Sequence, residues 1–324
     1  MPQAIIFETT GGPEVLKSVT YNISDPKPNE IQIRHIAIEV NYIDIYHRTG
    51  VYSLNYNPKI PGVSAIGEIV KIGDEINGFR VGDRVGYATA SGGAYCEVRN
   101  VNSQLAFAVP TALDPKLIAS CMLKLLTAHY LACRTYIVRP AIAVLIHAAA
   151  GGVGKLLAQR CNMLGAYVIG TVGSEEKKSV ALANGCNLAI NYNTEDWVAK
   201  IKEVTNGIGV NVVYDSVGQA TYLKSLQCLM RMGMMVLYGS SSGAVSTIDV
   251  SLLGEKSLFF TRPSLFDYKG NQMELILSCN EIFTHLEEGD FKLTPSQEFK
   301  LSDAAEAHKL LESRLSTGSI ILTP

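Results

Sequence analysis

The hydrophobic and polar positions of this chain change rhythm near residue 120. Before that point, short stretches at 31–34, 67–72, 83–85 and 95–98 alternate apolar and polar residues, with turn residues between them. A period of two buries one face of a strand and wets the other, so the first third predicts an antiparallel, barrel-like β domain. From Ala143 onward, apolar strands alternate with helical periods. Strands are expected at 143–147, 167–171, 187–191, 210–215 and 234–238, with helices from 152, from 175, at 196–205 and at 219–229. Near-continuous apolar strands separated by helices predict a doubly wound parallel sheet. A strand near 258–260, helical patterns at 271–288 and 303–315, and a closing strand at 319–322 complete the chain. The last of these can return to the first domain. The expected fold class is α/β, with one domain at 1–122, a second at 123–262 and a return to the first at 263–324.

Composition narrows the picture without changing it. The 324 residues exceed one hydrophobic core, and 47% apolar against 18% charged residues describe a well-buried globular protein. Lys and Arg (28) nearly balance Asp and Glu (30) and form no basic block. Nucleic acid and anionic membrane surfaces are therefore unsuitable partners, and a small molecule is expected. The apolar region 119–153 is interrupted by Lys124, Arg134, Arg139 and Pro140, which argues against a membrane span. Met1 to Phe7 lacks the layout of a secretory signal. Seven scattered cysteines, odd in number, suit a reducing cytoplasmic compartment.

The strongest local motif is the apolar strand Val144, Leu145, Ile146, His147 running through Ala148, Ala149, Ala150 and Gly151 into Gly152, Val153 and Gly154. It has the spacing of a dinucleotide fingerprint, with Ala149 in place of the first glycine. Gly151 lets backbone N–H groups approach a pyrophosphate, and Gly154 lets helix and strand pack closely. An NAD site carries an acidic residue at the end of the second strand; here Thr171, Val172, Gly173 and Ser174 stand there. With no carboxylate to repel a 2′-phosphate, Ser174 can donate a hydrogen bond and Lys177 can supply charge. NADPH is the expected cofactor. The competing reading makes Lys177 and Lys178 a solvated face and lets Glu175 or Glu176 hold the ribose.

Metal chemistry finds little support in the spacing of ligands. No two cysteines lie within ten residues, and the six histidines are isolated along the chain. His285 and His308 fall in helical patterns of the surface type, and the methionines at 230, 232, 234 and 235 read as core filling.

Taken together, Gly11 to Leu16, Asn41 to Tyr46, Pro61-Gly62, Gly82 to Val85, His147 to Gly154, Asp215 to Gly218 and the 239–243 loop resemble the zeta-crystallin-type quinone oxidoreductases, zinc-free members of the medium-chain dehydrogenase/reductase superfamily. The resemblance runs the length of the chain. It implies a GroES-like β-rich domain built from both chain ends, a Rossmann domain in the middle, NADPH as cofactor, a quinone as substrate and a homodimer. Carried over by position, Asn41, Tyr46 and Tyr130 border the nicotinamide, and Gly151, Gly152 and Val153 the pyrophosphate; Tyr42 and Asp44 are counted among the cofactor contacts, Asp44 with a structural role as the alternative. Gly173, Ser174, Lys177 and Tyr192 hold the adenosine 2′-phosphate. Ser216, the loop Gly239, Ser240 and Ser241, the segment Ser264, Leu265 and Phe266, and Arg314 complete the expected contacts. Asn41, Tyr46 and Tyr52 are the candidates at the reacting end. Zinc-binding relatives place a Cys near 41–44 and a His-Glu pair after the glycine of Pro61-Gly62, where this chain has Val63-Ser64. An alkenal or enone reductase and a non-catalytic NADPH-binding protein remain the alternatives.

Overall fold

The computed structural model describes residues 1–56, 59–313 and 318–324. The chain divides into two compact units, Met1–Leu123 with Lys269–Pro324, and Lys124–Tyr268. The first opens with strands β1 (Gln3–Ile6), β2 (Lys17–Thr20) and β3 (Glu30–Val40), followed by helix α1 (Tyr42–Thr49). Strands β4 (Ser64–Ile72), β5 (Arg84–Ala88), β6 (Val98–Asn102) and β7 (Ala106–Ala108) follow, then helix α2 (Pro115–Tyr130). The second unit holds β8 (Ala143–His147), α3 (Gly152–Met163), β9 (Tyr167–Val172), α4 (Glu175–Ala183), β10 (Leu188–Asn191), α5 (Trp197–Val204) and β11 (Val210–Asp215). It continues through α6 (Tyr222–Cys228), β12 (Leu229–Leu237), α7 (Ser251–Gly254), β13 (Phe259–Thr261) and α8 (Leu265–Tyr268). The chain then closes the first unit with α9 (Gln272–Glu287), β14 (Gln297–Lys300), α10 (Ala304–Ser313) and β15 (Ile320–Thr323).

In the first unit, the long strand β3 pairs antiparallel with β4, β6 and β15, so the last strand of the chain lies beside one of the first. Ile31, Ile33, Ile38, Ile69, Val85 and Leu322 fill its core. The second unit is a six-stranded sheet in the order β10-β9-β8-β11-β12-β13, every described pair parallel. That order reverses direction at β8, which makes the carboxyl end of β8 the switch point where ligands of doubly wound sheets bind.

Several sequence expectations need correction. Tyr95 and Cys96 precede β6 instead of belonging to it, because Cys96 makes only an isolated bridge to Ala4. Strand β12 begins at Leu229, so the methionine run lies wholly in the strand. Met235 is buried, but Met232, at φ 60°, is 69% exposed and fills no core. His308 is fully buried rather than superficial. The helical stretch Pro115–Thr135 is as long and apolar as a membrane span despite Lys124, and 72% of an 18-residue window within it is buried inside the protein.

Candidate functional site

The glycine turn follows β8 directly. Ala148 adopts φ 52°, a left-handed conformation that costs a non-glycine residue strain, and its carbonyl accepts the Gly151 N–H at 2.8 Å. Ala149 replaces the first glycine of the fingerprint because β9 makes room for it: a Cβ on Gly170 would lie 2.6 Å from the Ala149 methyl. A Cβ on Gly154 would lie 2.3 Å from the Ala148 carbonyl oxygen, so only glycine lets α3 start this close to the strand. Gly151 and Gly152 are exposed, and because α3 starts at Gly152 the N–H groups of its first turn have no acceptor within the helix.

Two lysines meet this turn. A Cβ on Gly152 would lie 2.9 Å from Lys124 Cε, so the Lys124 stem runs across the glycine. Lys155 sits in the first turn of α3, where partial burial and then the Lys124 charge lower its ammonium from the ordinary lysine range. Two ammonium groups beside a helix N-terminus suit a diphosphate. Neither lysine belongs to a motif; the signal available in the sequence is one lysine inside an otherwise apolar helix.

The ends of β9 and β10 form a second recess. Tyr192 N–H bonds the Val172 carbonyl at 3.0 Å, and a Cβ on Gly173 would lie 2.6 Å from the Tyr192 hydroxyl. Asn193 donates to the Gly173 carbonyl at 2.9 Å. Ser174 caps α4 by accepting the Lys177 N–H at 3.3 Å, and Lys177 is exposed. The carboxylates weighed as alternatives are engaged. Glu175 accepts from Asn191 at 2.8 Å and approaches Lys178 at 3.5 Å, while the Ser174 hydroxyl lowers the carboxyl of Glu176 from its usual value. Gly173 and the Tyr192 hydroxyl thus lie together beside the Ser174 cap of α4, with Lys177 exposed in the first turn of that helix.

The third part of the unit's rim is the pair of loops after β11 and β12. A Cβ on Gly239 would lie 2.7 Å from the Ser216 carbonyl oxygen, and Ser241 N–H bonds that oxygen at 3.1 Å. Asp215 holds the first loop by accepting the Val217 and Gly218 N–H groups at 2.7 and 3.0 Å. Ser240 Oγ is buried and finds no partner among the described residues, an orphaned hydroxyl that a polar ligand can satisfy. Val153 is half-buried in α3, and Ser264, Leu265 and Phe266 open α8, with Leu265 buried. Tyr130 is buried and stacked on Tyr268 at 4.9 Å between centroids. Arg314 lies outside the described residues.

In the first unit, Asn41, Tyr42, Asp44 and Tyr46 come together at the start of α1. Asp44 Oδ2 reaches back to accept the Asn41 N–H at 2.8 Å, which fastens the first turn. The Asn41 amide nitrogen lies 3.5 Å from Ser64 Oγ, which donates to Glu39 at 3.2 Å. Tyr42, Tyr46 and Tyr52 form an edge-on series with centroids 5.8 and 5.2 Å apart. His47, which carries no motif in the sequence, lies 6.3 Å from Tyr52; burial lowers it to about 4 and its Nδ1 has no partner among the described residues. At the positions that zinc-binding relatives use, Asn41, Val63 and Ser64 offer neither thiolate nor imidazole, and Asp44 is committed to Asn41 and Tyr95.

Residues 27–113 match the alcohol dehydrogenase GroES-like domain and residues 152–273 match the zinc-binding dehydrogenase family. Quinone oxidoreductase 1 of Escherichia coli K12 is 43% identical over the full length of both chains. A crystal structure of Escherichia coli quinone oxidoreductase complexed with NADPH superposes with a TM-score of 0.96, at 43% identity over 99% of this chain and 100% of that one. The 2-haloacrylate reductase of a Burkholderia species is 38% identical over 100% of this chain and 99% of its own.

Proposed function

The chain belongs to the quinone oxidoreductase family of the medium-chain dehydrogenase/reductase superfamily, and from that premise we propose that it reduces quinones with NADPH. One quinone, one NADPH and one proton give hydroquinone and NADP⁺. The observation that carries the cofactor assignment is the recess at Gly173, Ser174, Lys177 and Tyr192, which offers donors and one positive charge to a 2′-phosphate. The pyrophosphate is assigned to Gly151, Gly152 and Val153, with Lys124 and Lys155 beside it. Bound there, NADPH supplies a hydride from nicotinamide C4; the protein binds and orients both reactants.

We assign Asn41, Tyr46 and Tyr52 to the reacting end. An amide has two N–H donors, and the one not turned to Ser64 suits a quinone carbonyl. The two tyrosine rings suit a flat acceptor by stacking. Hydroquinone oxygens are basic enough to take a proton from water or a hydroxyl, so this chemistry asks for no strong general acid. Ser216, Ser240, Ser241, Ser264, Leu265, Phe266, Tyr130 and Arg314 are assigned to the cofactor as well.

A homodimer is part of the proposal. Strand β13 ends the six-stranded sheet, and Phe259 on it is 53% exposed; an open apolar edge is a ready surface for a second copy. A cytoplasmic location is supported by seven cysteines, all free thiols. The test of activity is a parallel assay of NADPH oxidation with 1,4-benzoquinone, an α,β-unsaturated aldehyde and 2-chloroacrylate. The proposal expects kcat/KM for the quinone to exceed both others; a preference for either activated C=C bond would replace quinone reduction with alkene reduction.

A further inference from the structure

A buried chain of hydrogen bonds within the first unit leads from α10 to the first turn of α1. Arg48, itself almost fully buried, forms a two-pronged ion pair with Glu312 at 2.6 and 3.1 Å and donates to the Gly11 carbonyl at 3.1 Å. Its Nη1 also lies 3.3 Å from His308 Nδ1. The other ring nitrogen of His308 lies 3.0 Å from the Tyr95 hydroxyl, which lies 3.1 Å from Asp44 Oδ2. That same oxygen holds the Asn41 N–H.

The direction of every bond follows from the arginine. A guanidinium only donates, so His308 Nδ1 is an acceptor. Burial and then the Arg48 charge lower His308 to about 3, which leaves one ring proton, on Nε2. Nε2–H therefore donates to Tyr95, and the Tyr95 hydroxyl is turned to donate to Asp44. Burial, then the Asp44 charge, keeps that phenol protonated by raising it well above its usual value. The Tyr95 ring is fixed from both sides. It stands edge-on to His308 at 5.7 Å, and a Cβ on Gly62, at φ 89°, would lie 2.3 Å from it.

We propose that Tyr95 and His308 are positioning residues for quinone reduction, holding Asp44 in the orientation that sets Asn41 and the Tyr46-bearing first turns of α1. This rests on the assignment of Asn41 and Tyr46 to the reacting end. Neither residue touches a reactant; each acts by orienting the next donor.

Two measurements test it. In ¹⁵N-histidine-labelled protein, His308 is expected to be neutral with Nε2 protonated throughout pH 5 to 8. An Nδ1-protonated ring, or one that titrates in that window, overturns the relay. In kinetics, Tyr95→Phe and His308→Leu are expected to lower kcat with 1,4-benzoquinone at least tenfold while the Kd of 2′,5′-ADP stays within twofold. His308→Gln, whose amide supplies an acceptor and a donor, is expected to retain kcat within threefold. Unchanged kcat in Tyr95→Phe, or a His308→Gln enzyme as slow as His308→Leu, overturns the proposal. Should His308→Leu fail to fold, Tyr95→Phe, which removes only a hydroxyl, carries the kinetic test alone. A wild-type protein that binds 2′,5′-ADP but leaves quinone unreduced defeats the functional reading, and the labelling experiment still decides the relay.

Discussion

The proposed 2′-phosphate site asks for very few side chains. Gly173 matters for what it lacks, since a methyl there would push away the Tyr192 hydroxyl 2.6 Å distant. Lys177 is the cation proposed for the 2′-phosphate, and a charge-assisted bond to phosphate contributes about 1.5–3 kcal/mol. Lys177→Ala is therefore expected to weaken NADPH binding by roughly tenfold or more and to leave NADH binding unchanged, as titration of nicotinamide fluorescence will show. Equal losses for both nucleotides would place Lys177 elsewhere. At this scale the sequence was legible where chemistry is local. The missing acid at 173–174 and the glycines at 151 and 154 announce themselves by position. His308 was not legible, because its partners Arg48 in α1 and Tyr95 before β6 lie more than two hundred residues away. Lys124 was visible only as a charge out of place in an apolar helix.

Elements meet here through exchanged volume. The turn between β8 and α3 carries an alanine where the fingerprint has glycine, and β9 carries a glycine where strands favour a branched side chain. Gly170→Ala would set a Cβ 2.6 Å from Ala149 and 2.8 Å from Cys186 Sγ. We expect a loss of about 1–3 kcal/mol from overpacking. Ala149→Gly in the same chain should restore part of it, giving a coupling energy that denaturant titration of the four proteins can measure; strictly additive losses would mean that the two positions do not share the space. Element positions followed the periodicity closely: 143–147 and 210–215 coincide with β8 and β11. Ends were harder to read where a neighbour decides them. β12 starts early because Leu229 pairs with Val210, and the pairing resumes after a bulge at Met234. Tyr95 misses the sheet because its N–H bonds Pro61 instead.

For the molecule as a whole, buried neutral histidines set the response to acid. Burial lowers His35 and His47 to about 4 and, with Arg48 adding to it, His308 to about 3. In the unfolded chain each titrates near 6.5. The unfolded state therefore binds more protons below that pH, and the stability these groups contribute is present above pH 6.5 and lost as pH falls toward their folded values. Each removes up to about 1.4 kcal/mol per pH unit in that window. The melting temperature is expected to fall steadily from pH 6.5 to 5, before most carboxylates titrate, and His35→Gln should flatten the slope. A melting temperature constant across that range would show that the rings can charge in the folded state. Oligomerisation belongs to this scale too. Phe259→Glu at the edge of β13 is expected to convert a dimer to monomer in sedimentation velocity with the NADPH affinity preserved; a wild-type monomer at micromolar concentration would refute the dimer.

The proposed function is one joint property, that the second unit selects the 2′-phosphate and the bound cofactor reduces a quinone. Its direct measurement is the ratio of kcat/KM for NADPH to that for NADH with 9,10-phenanthrenequinone, in the wild type and in Lys177→Ala. The wild type is expected to prefer NADPH strongly and the variant to lose that preference. Equal use of both nucleotides by the wild type, or tight NADPH binding without oxidation of it by any quinone, would contradict it.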